Sequence, residues 1–107
     1  MGDITVLNDV VYGNHERQKL DIYLPENPKS EEGIILFIHG GGWNEGDKSG
    51  HHPDVEFYSR RGYISAAMNY RFVSDNITVF DELDDIAAAL DAIKQECSGF
   101  GFSVNRV

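Results

Sequence analysis

Five large apolar residues follow one another at Ile34–Ile38 without a polar break, and a glycine triplet follows at once in His39-Gly40-Gly41-Gly42-Trp43. An apolar run of that length bounded by glycine predicts a fully buried strand of a parallel sheet. Upstream the pattern is different. Ile4–Val11 alternates weakly and stops at the turn signal Tyr12-Gly13-Asn14. In residues 19–24, Leu20, Ile22 and Leu24 point one way and Lys19, Asp21 and Tyr23 the other, which predicts a half-buried strand closed by Pro25. The polar stretch 13–18 makes these two strands an expected antiparallel hairpin at a sheet edge. Residues 26–33 are a polar connection.

A long loop, 40–53, precedes a short predicted helix at 54–61, with Pro53 near its start and Gly62 just past its end. Val55, Phe57 and Tyr58 are its expected inner face. Residues 63–70, YISAAMNY, form a second apolar run rich in small residues and predict another buried strand. Two such strands joined by a helix make a βαβ unit with parallel pairing. Thr78 then opens the clearest helix, with Asp81 three residues on completing a capping-box-like pair. Leu83, Ile86, Ala87, Leu90, Ile93 and Cys97 follow at spacings of three and four and predict its buried stripe, with Asp81, Glu82, Asp84, Asp85 and Asp91 mainly around the rest. Gly99 ends it. The order β-β-β-α-β-α is an α/β arrangement in which residues 1–107 belong to one domain, with no second domain.

Composition narrows the partners. The chain has 107 residues, 41% hydrophobic and 25% charged, as expected of one small globular domain. Eighteen acidic residues against nine basic ones give a formal net charge of −9, which argues against nucleic acid and against anionic membrane surfaces. A single cysteine, Cys97, excludes an internal disulfide and a CxxC metal site, and its place at the end of a predicted helix suits a buried structural thiol. The N-terminus shows no sustained apolar segment of a secretory signal, and no run approaches a membrane span of about 18 residues. A reduced, cytoplasmic setting is the expectation.

Three chemistries compete for the glycine loop. Gly41 and Gly46 have the first spacing of a phosphate-binding GxxxxGK[ST], but Asp47 stands where the lysine belongs, ahead of Lys48-Ser49, and would repel a phosphate. A metal site could draw on His39, His51, His52 and Asp54, yet adjacent histidines diverge and no HxxxH spacing is present. A solvated loop is the expected home of His51 and His52. The third chemistry is an oxyanion hole, where backbone N–H groups converge on the carbonyl oxygen that becomes negative in acyl transfer. Glycines let those groups converge and let the acyl group approach.

The segment His39-Gly40-Gly41-Gly42-Trp43 resembles the HGGG motif of α/β-hydrolase carboxylesterases and lipases, placed as there after the third strand. Leu20-Asp21-Ile22-Tyr23-Leu24-Pro25 resembles their second-strand segment, Gly46-Asp47-Lys48 follows the tryptophan as in many members, and Asn69-Tyr70-Arg71 resembles the end of their fourth strand. Asp85 falls where their next helix often carries an aspartate. The resemblance implies an ester hydrolase acting on a small-molecule ester without a cofactor. Gly41 and Gly42 would be the oxyanion donors, and His39, with Gly40, would brace the loop. Trp43 would line the acyl or alcohol pocket, with plain packing as its other reading.

That family's nucleophile sits in GxSxG after the fifth strand, followed by an acid and a histidine. These 107 residues contain no GxSxG. Gly101-Phe102-Ser103-Val104-Asn105 comes nearest but lacks the final glycine, and its position matches the linker before the fifth strand. The expectation is the N-terminal part of an α/β-hydrolase sheet without its nucleophile-elbow half, inactive alone. The alternative is a non-catalytic binding or interaction module derived from the same fold. Without a fifth strand, Ile34–Ile38 becomes an apolar edge, so self-association through that edge is expected.

Overall fold

A computed structural model describes residues 3–26, 34–40, 46–74 and 76–99 of the chain. Among these, strands β1 (Ile4–Val11), β2 (Lys19–Pro25), β3 (Ile34–Ile38) and β4 (Ile64–Met68) form one sheet in the order β1-β2-β4-β3. β1 and β2 pair antiparallel, as the alternation and the polar connection predict, and β2 pairs antiparallel with β4. β3 and β4 pair parallel in register from Ile34–Ile64 to Ile38–Met68, the geometry expected of a βαβ unit.

Side-chain alternation sorts the sheet into two faces. Leu20, Ile22, Leu24, Ile34, Ile64, Ala66 and Met68 form one core with Ala89, Ile93 and Cys97 of helix α2 (Val79–Gly99). On the other face, Phe37 meets Tyr58 of helix α1 (His52–Ser59) at 6.0 Å between rings, and Asp21 meets His52 at the start of that helix. The helices therefore sandwich the sheet. A 3₁₀ turn, Lys48–His51, leads directly into α1.

α1 begins two residues before its predicted start, with Pro53 in its first turn, and Gly62 follows it with φ of 97°. Val55 and Ser59 are its buried residues, whereas Phe57 is 48% and Tyr58 37% exposed, so the expected inner face is corrected. Phe57 instead stacks under Arg61, 3.6 Å from the guanidinium.

The α2 capping pair forms. Asp81 Oδ2 accepts from the Thr78 N–H at 2.8 Å, and Thr78 Oγ1 faces the Asp81 N–H at 3.4 Å. The buried face overlaps the predicted stripe at Ile93 and Cys97, which are buried, and at Ile86 and Leu90, which are half-buried against the core, and departs from it at Leu83, 51% exposed, and Ala87. Glu82, Asp85 and Ala89 are buried beside them. The helix is turned so that Asp85 reaches Arg71 and Gln18. Its Oδ1 accepts from Gln18 Nε2 at 2.9 Å, and its Oδ2 accepts from the Arg71 backbone N–H at 2.8 Å. Arg71 closes the ion pair at 2.8 Å.

Candidate active-site loop

β3 delivers His39 to the C-terminal end of the sheet, and the residues there hold it from four sides. Its ring stacks on Tyr70, with centroids 4.4 Å apart and planes 16° from parallel. Phe72 meets the ring edge-on at 6.3 Å. Tyr70 donates its hydroxyl to the His39 carbonyl at 3.0 Å. His39 Nδ1 lies 2.8 Å from the Gly40 carbonyl, and its Nε2 lies 3.2 Å from an Arg17 Nη.

The chain that leaves at Gly40 comes back to the same point at Gly46. Gly46 has φ of 105°, and a Cβ there would stand 2.5 Å from both the Gly40 carbonyl oxygen and His39 Nδ1. Only glycine permits that approach. Arg17, from the β1–β2 connection, donates to the Gly46 carbonyl at 3.1 Å and to the Tyr70 carbonyl at 3.0 Å, and lies 3.7 Å over the Phe72 ring. The loop is thus closed at its base.

Its exit leg is pinned as firmly. Asp47 caps the 3₁₀ turn by accepting from the Ser49 N–H at 3.0 Å, and also accepts from Asn69 Nδ2 at 3.0 Å. Those hydrogen bonds, that of the Ser49 N–H foremost, hold the Asp47 carboxyl down to about 2. Asn69 returns the contact by accepting from the Lys48 N–H at 2.8 Å. The Lys48 ammonium turns inward to Asp21 and Asp9, each at 3.1 Å.

Asp21 is buried in β2. It accepts from the Asp9 N–H at 2.9 Å and faces His52 Nε2 at 2.6 Å. Burial pushes its carboxyl up, but the Asp9 N–H, His52 and Lys48 together more than offset this and hold it below the usual carboxylate range. Asp9 offers its N–H from a left-handed conformation, φ 54°, at the irregularity between Leu7 and Val10.

These contacts bear on the competing chemistries. Lys48 is engaged by two carboxylates, which leaves a phosphate cradle without its cation. His51 and His52 sit on the 3₁₀ turn and the first turn of α1, half-buried, not in a solvated loop. His51 stacks on Phe37 at 5.3 Å and faces Asp54 at 3.3 Å, while His52 faces Asp21 and His39 faces Arg17. Among the described residues no three or more His, Cys, Asp or Glu side chains come together as a metal site. Cys97 is fully buried, and burial, with Glu96 nearby, pushes its thiol up to about 11. Among the described residues no helix is long and apolar enough to cross a membrane.

Of the candidate site residues, His39 and Gly40 lie at the loop base just described. Gly41, Gly42 and Trp43, and Ser103 further on, lie outside the described residues. Arg17, Asp21, Gly46, Asn69 and Tyr70 carry structural work that local spacing does not reveal. The segments Leu20-Asp21-Ile22-Tyr23-Leu24-Pro25, Gly46-Asp47-Lys48 and Asn69-Tyr70-Arg71 offered a signal for four of them, and Arg17 had none.

A sheet ordered β1-β2-β4-β3, with a helix on each face and a glycine-rich loop leaving the C-terminal end of β3, is the N-terminal part of an α/β-hydrolase sheet. Solved esterases share it. Esterase B from Lactobacillus Rhamnosis superposes with a TM-score of 0.73 at 25% identity, over 87% of this chain and 30% of that one. Thermogutta terrifontis esterase 2 phosphorylated by paraoxon does so with a TM-score of 0.68 at 28% identity, over 92% and 39%.

The chain belongs to the BD-FAE family, whose profile matches residues 20–107, and so to an esterase-like group of hydrolases. It is 29% identical over 102 residues to an isoprenylcysteine alpha-carbonyl methylesterase of Arabidopsis thaliana, covering 95% of this chain and 24% of that protein. Over 37 residues it is 43% identical to a kynurenine formamidase of Danio rerio, covering 35% of this chain and 13% of that protein. The chain spans about a quarter of the length of the curated methylesterases it matches.

Proposed function

We propose that this chain supplies the oxyanion-hole portion of a carboxylic-ester hydrolase. The backbone N–H groups of Gly41 and Gly42 stabilise the developing oxyanion, His39 and Gly40 brace the loop, and Trp43 lines the acyl or alcohol pocket. The observation that carries this reading is the closed loop base: Gly40 and Gly46 in contact, clamped between His39 and Arg17. Oxyanion donors act without reorganising only if their backbone is fixed beforehand. Gly40 and Gly46, the described residues on either side of those donors, are tied in this way, which supports the reading.

Acyl transfer also needs a nucleophile activated by a base. No GxSxG occurs in these 107 residues, and the described thiol is buried with a raised pKa. In this reading the serine, the acid and the general-base histidine come from sequence outside these residues, on the same or a second chain. The 107-residue chain therefore polarises a carbonyl but does not attack it. Incubating it with a short-chain chromogenic ester and a fluorophosphonate tests this, with neither turnover nor covalent labelling expected. Turnover with stoichiometric labelling would show that a nucleophile is present after all.

A further inference from the structure

We infer that Arg17 is the positioning residue of the glycine loop, closing its base by donating at once to the Gly46 carbonyl and to His39 Nε2, a closure that requires His39 to be the neutral Nδ1–H tautomer. The inference deepens the ester-hydrolase reading, because fixing this loop matters to catalysis only if the loop holds an oxyanion.

The protonation pattern follows from the partners. Arg17 Nη carries only donors, and the Gly40 carbonyl is only an acceptor. With the first 3.2 Å from Nε2 and the second 2.8 Å from Nδ1, His39 must accept at Nε2 and donate at Nδ1. In water a neutral histidine favours the opposite, Nε2–H, tautomer, so this state has to be held by its surroundings.

The surroundings are complete enough to hold it. His39 is buried, sandwiched against Tyr70 and edged by Phe72, which leaves the ring no room to flip. Arg17 is itself fixed by the Tyr70 carbonyl, the Phe72 ring and Asp47, whose carboxylate lies 3.9 Å away. The charges facing this ring from the elements around it are Arg17 from the β1–β2 connection, Asp47 from the loop exit and, through Tyr70, Glu82 from α2. Burial, and then Asp85, push the Glu82 carboxyl above the ordinary glutamate range. An Nε2–H tautomer would set a donor against the guanidinium, and that side of the clamp would be lost.

Long-range ¹H–¹⁵N spectra of the ¹⁵N-histidine-labelled chain test the inference without any ester. At pH 7 the wild-type His39 is expected to show a protonated Nδ1 and an unprotonated Nε2. In Arg17→Met the Nε2–H tautomer should become the major form. Arg17→Lys keeps the charge but cannot span both acceptors, so it too should shift His39 toward the Nε2–H form while remaining folded. An Nε2–H or doubly protonated His39 in the wild-type chain overturns the inference, and that measurement needs no variant to fold. A folded Arg17→Met that keeps the Nδ1–H tautomer also overturns it. Because the tautomer is read without any ester chemistry, the clamp and the ester-hydrolase reading fail separately.

Discussion

Glu82 is the residue least at ease in this fold. It is fully buried, and neither carboxylate oxygen has a hydrogen-bond partner among the described residues. Burial first, and the neighbouring Asp85 second, raise its pKa above the ordinary glutamate value. A folded-state value above the unfolded one means a contribution present at low pH and lost as pH rises through the raised value. Glu82→Met, close in volume and without charge, is expected to stabilise the chain by about 1–3 kcal/mol, more at pH 8 than at pH 5. Urea unfolding at the two pH values checks this, and equal or opposite shifts would contradict the burial argument.

Asp47 runs the other way. Its folded value of about 2 lies below that of an unfolded aspartate, so its contribution is complete above about pH 4 and disappears as pH falls through about 2. Asp47→Asn should therefore remove part of the acid-side slope of stability and leave the neutral-to-alkaline side unchanged. Gly46→Ala forces a side chain into contact with Gly40 and His39 at a positive φ. It is expected to cost about 1–3 kcal/mol, read as a lower denaturation midpoint.

At the scale of elements, the sequence was most legible where the pattern is local. The alternation of Leu20, Ile22 and Leu24 identified β2, the uninterrupted run Ile34–Ile38 identified β3, and Thr78 with Asp81 marked the start of α2. What it could not display was the rotation of α2. The partners that bury Asp85 are Arg71, 14 residues away, and Gln18, 67 residues away, and no periodicity within the helix encodes them. Leu83 and Ala87 suited the apolar stripe, but a buried aspartate already supplied with donors outranks two apolar side chains of the first turns. Asp85→Asn is expected to cost about 3 kcal/mol, because it leaves the Arg71 guanidinium without its counter-charge. Chemical denaturation measures that loss, and a change below about 0.5 kcal/mol, the usual scatter of surface substitutions, would mean the ion pair is incidental.

The loop is a similar case. Its glycines were plain in the sequence, but Arg17 reaches Gly46 across 29 residues from a polar turn that reads as a simple connection. Chemistry-bearing residue types were visible, and the contacts of Arg17 at the loop base were not.

For the whole molecule, β3 is an edge strand of the sheet that the described residues form. Among the described residues its far edge has no strand beside it, and its sequence carries no lysine, proline or bulge that would discourage pairing. The chain is expected to self-associate through this edge, so its apparent mass should rise above 12.0 kDa with concentration in size-exclusion runs. Ile38→Lys, at a position 37% exposed, should weaken that association. A monomer across the full concentration range would rule it out.

The central claim, that the loop after β3 is an oxyanion hole, is tested most directly by giving it a nucleophile. Residues 1–107 would replace the matching segment of Thermogutta terrifontis esterase 2, with which this chain shares a TM-score of 0.68. The chimera is expected to hydrolyse a short-chain ester and to be phosphorylated by paraoxon. Replacing the Gly42 amide by an ester linkage, which deletes the N–H alone, should lower kcat on the order of 10²–10³-fold with little change in KM. A folded chimera whose kcat is indifferent to that deletion, at Gly42 and at Gly41 alike, would contradict the assignment.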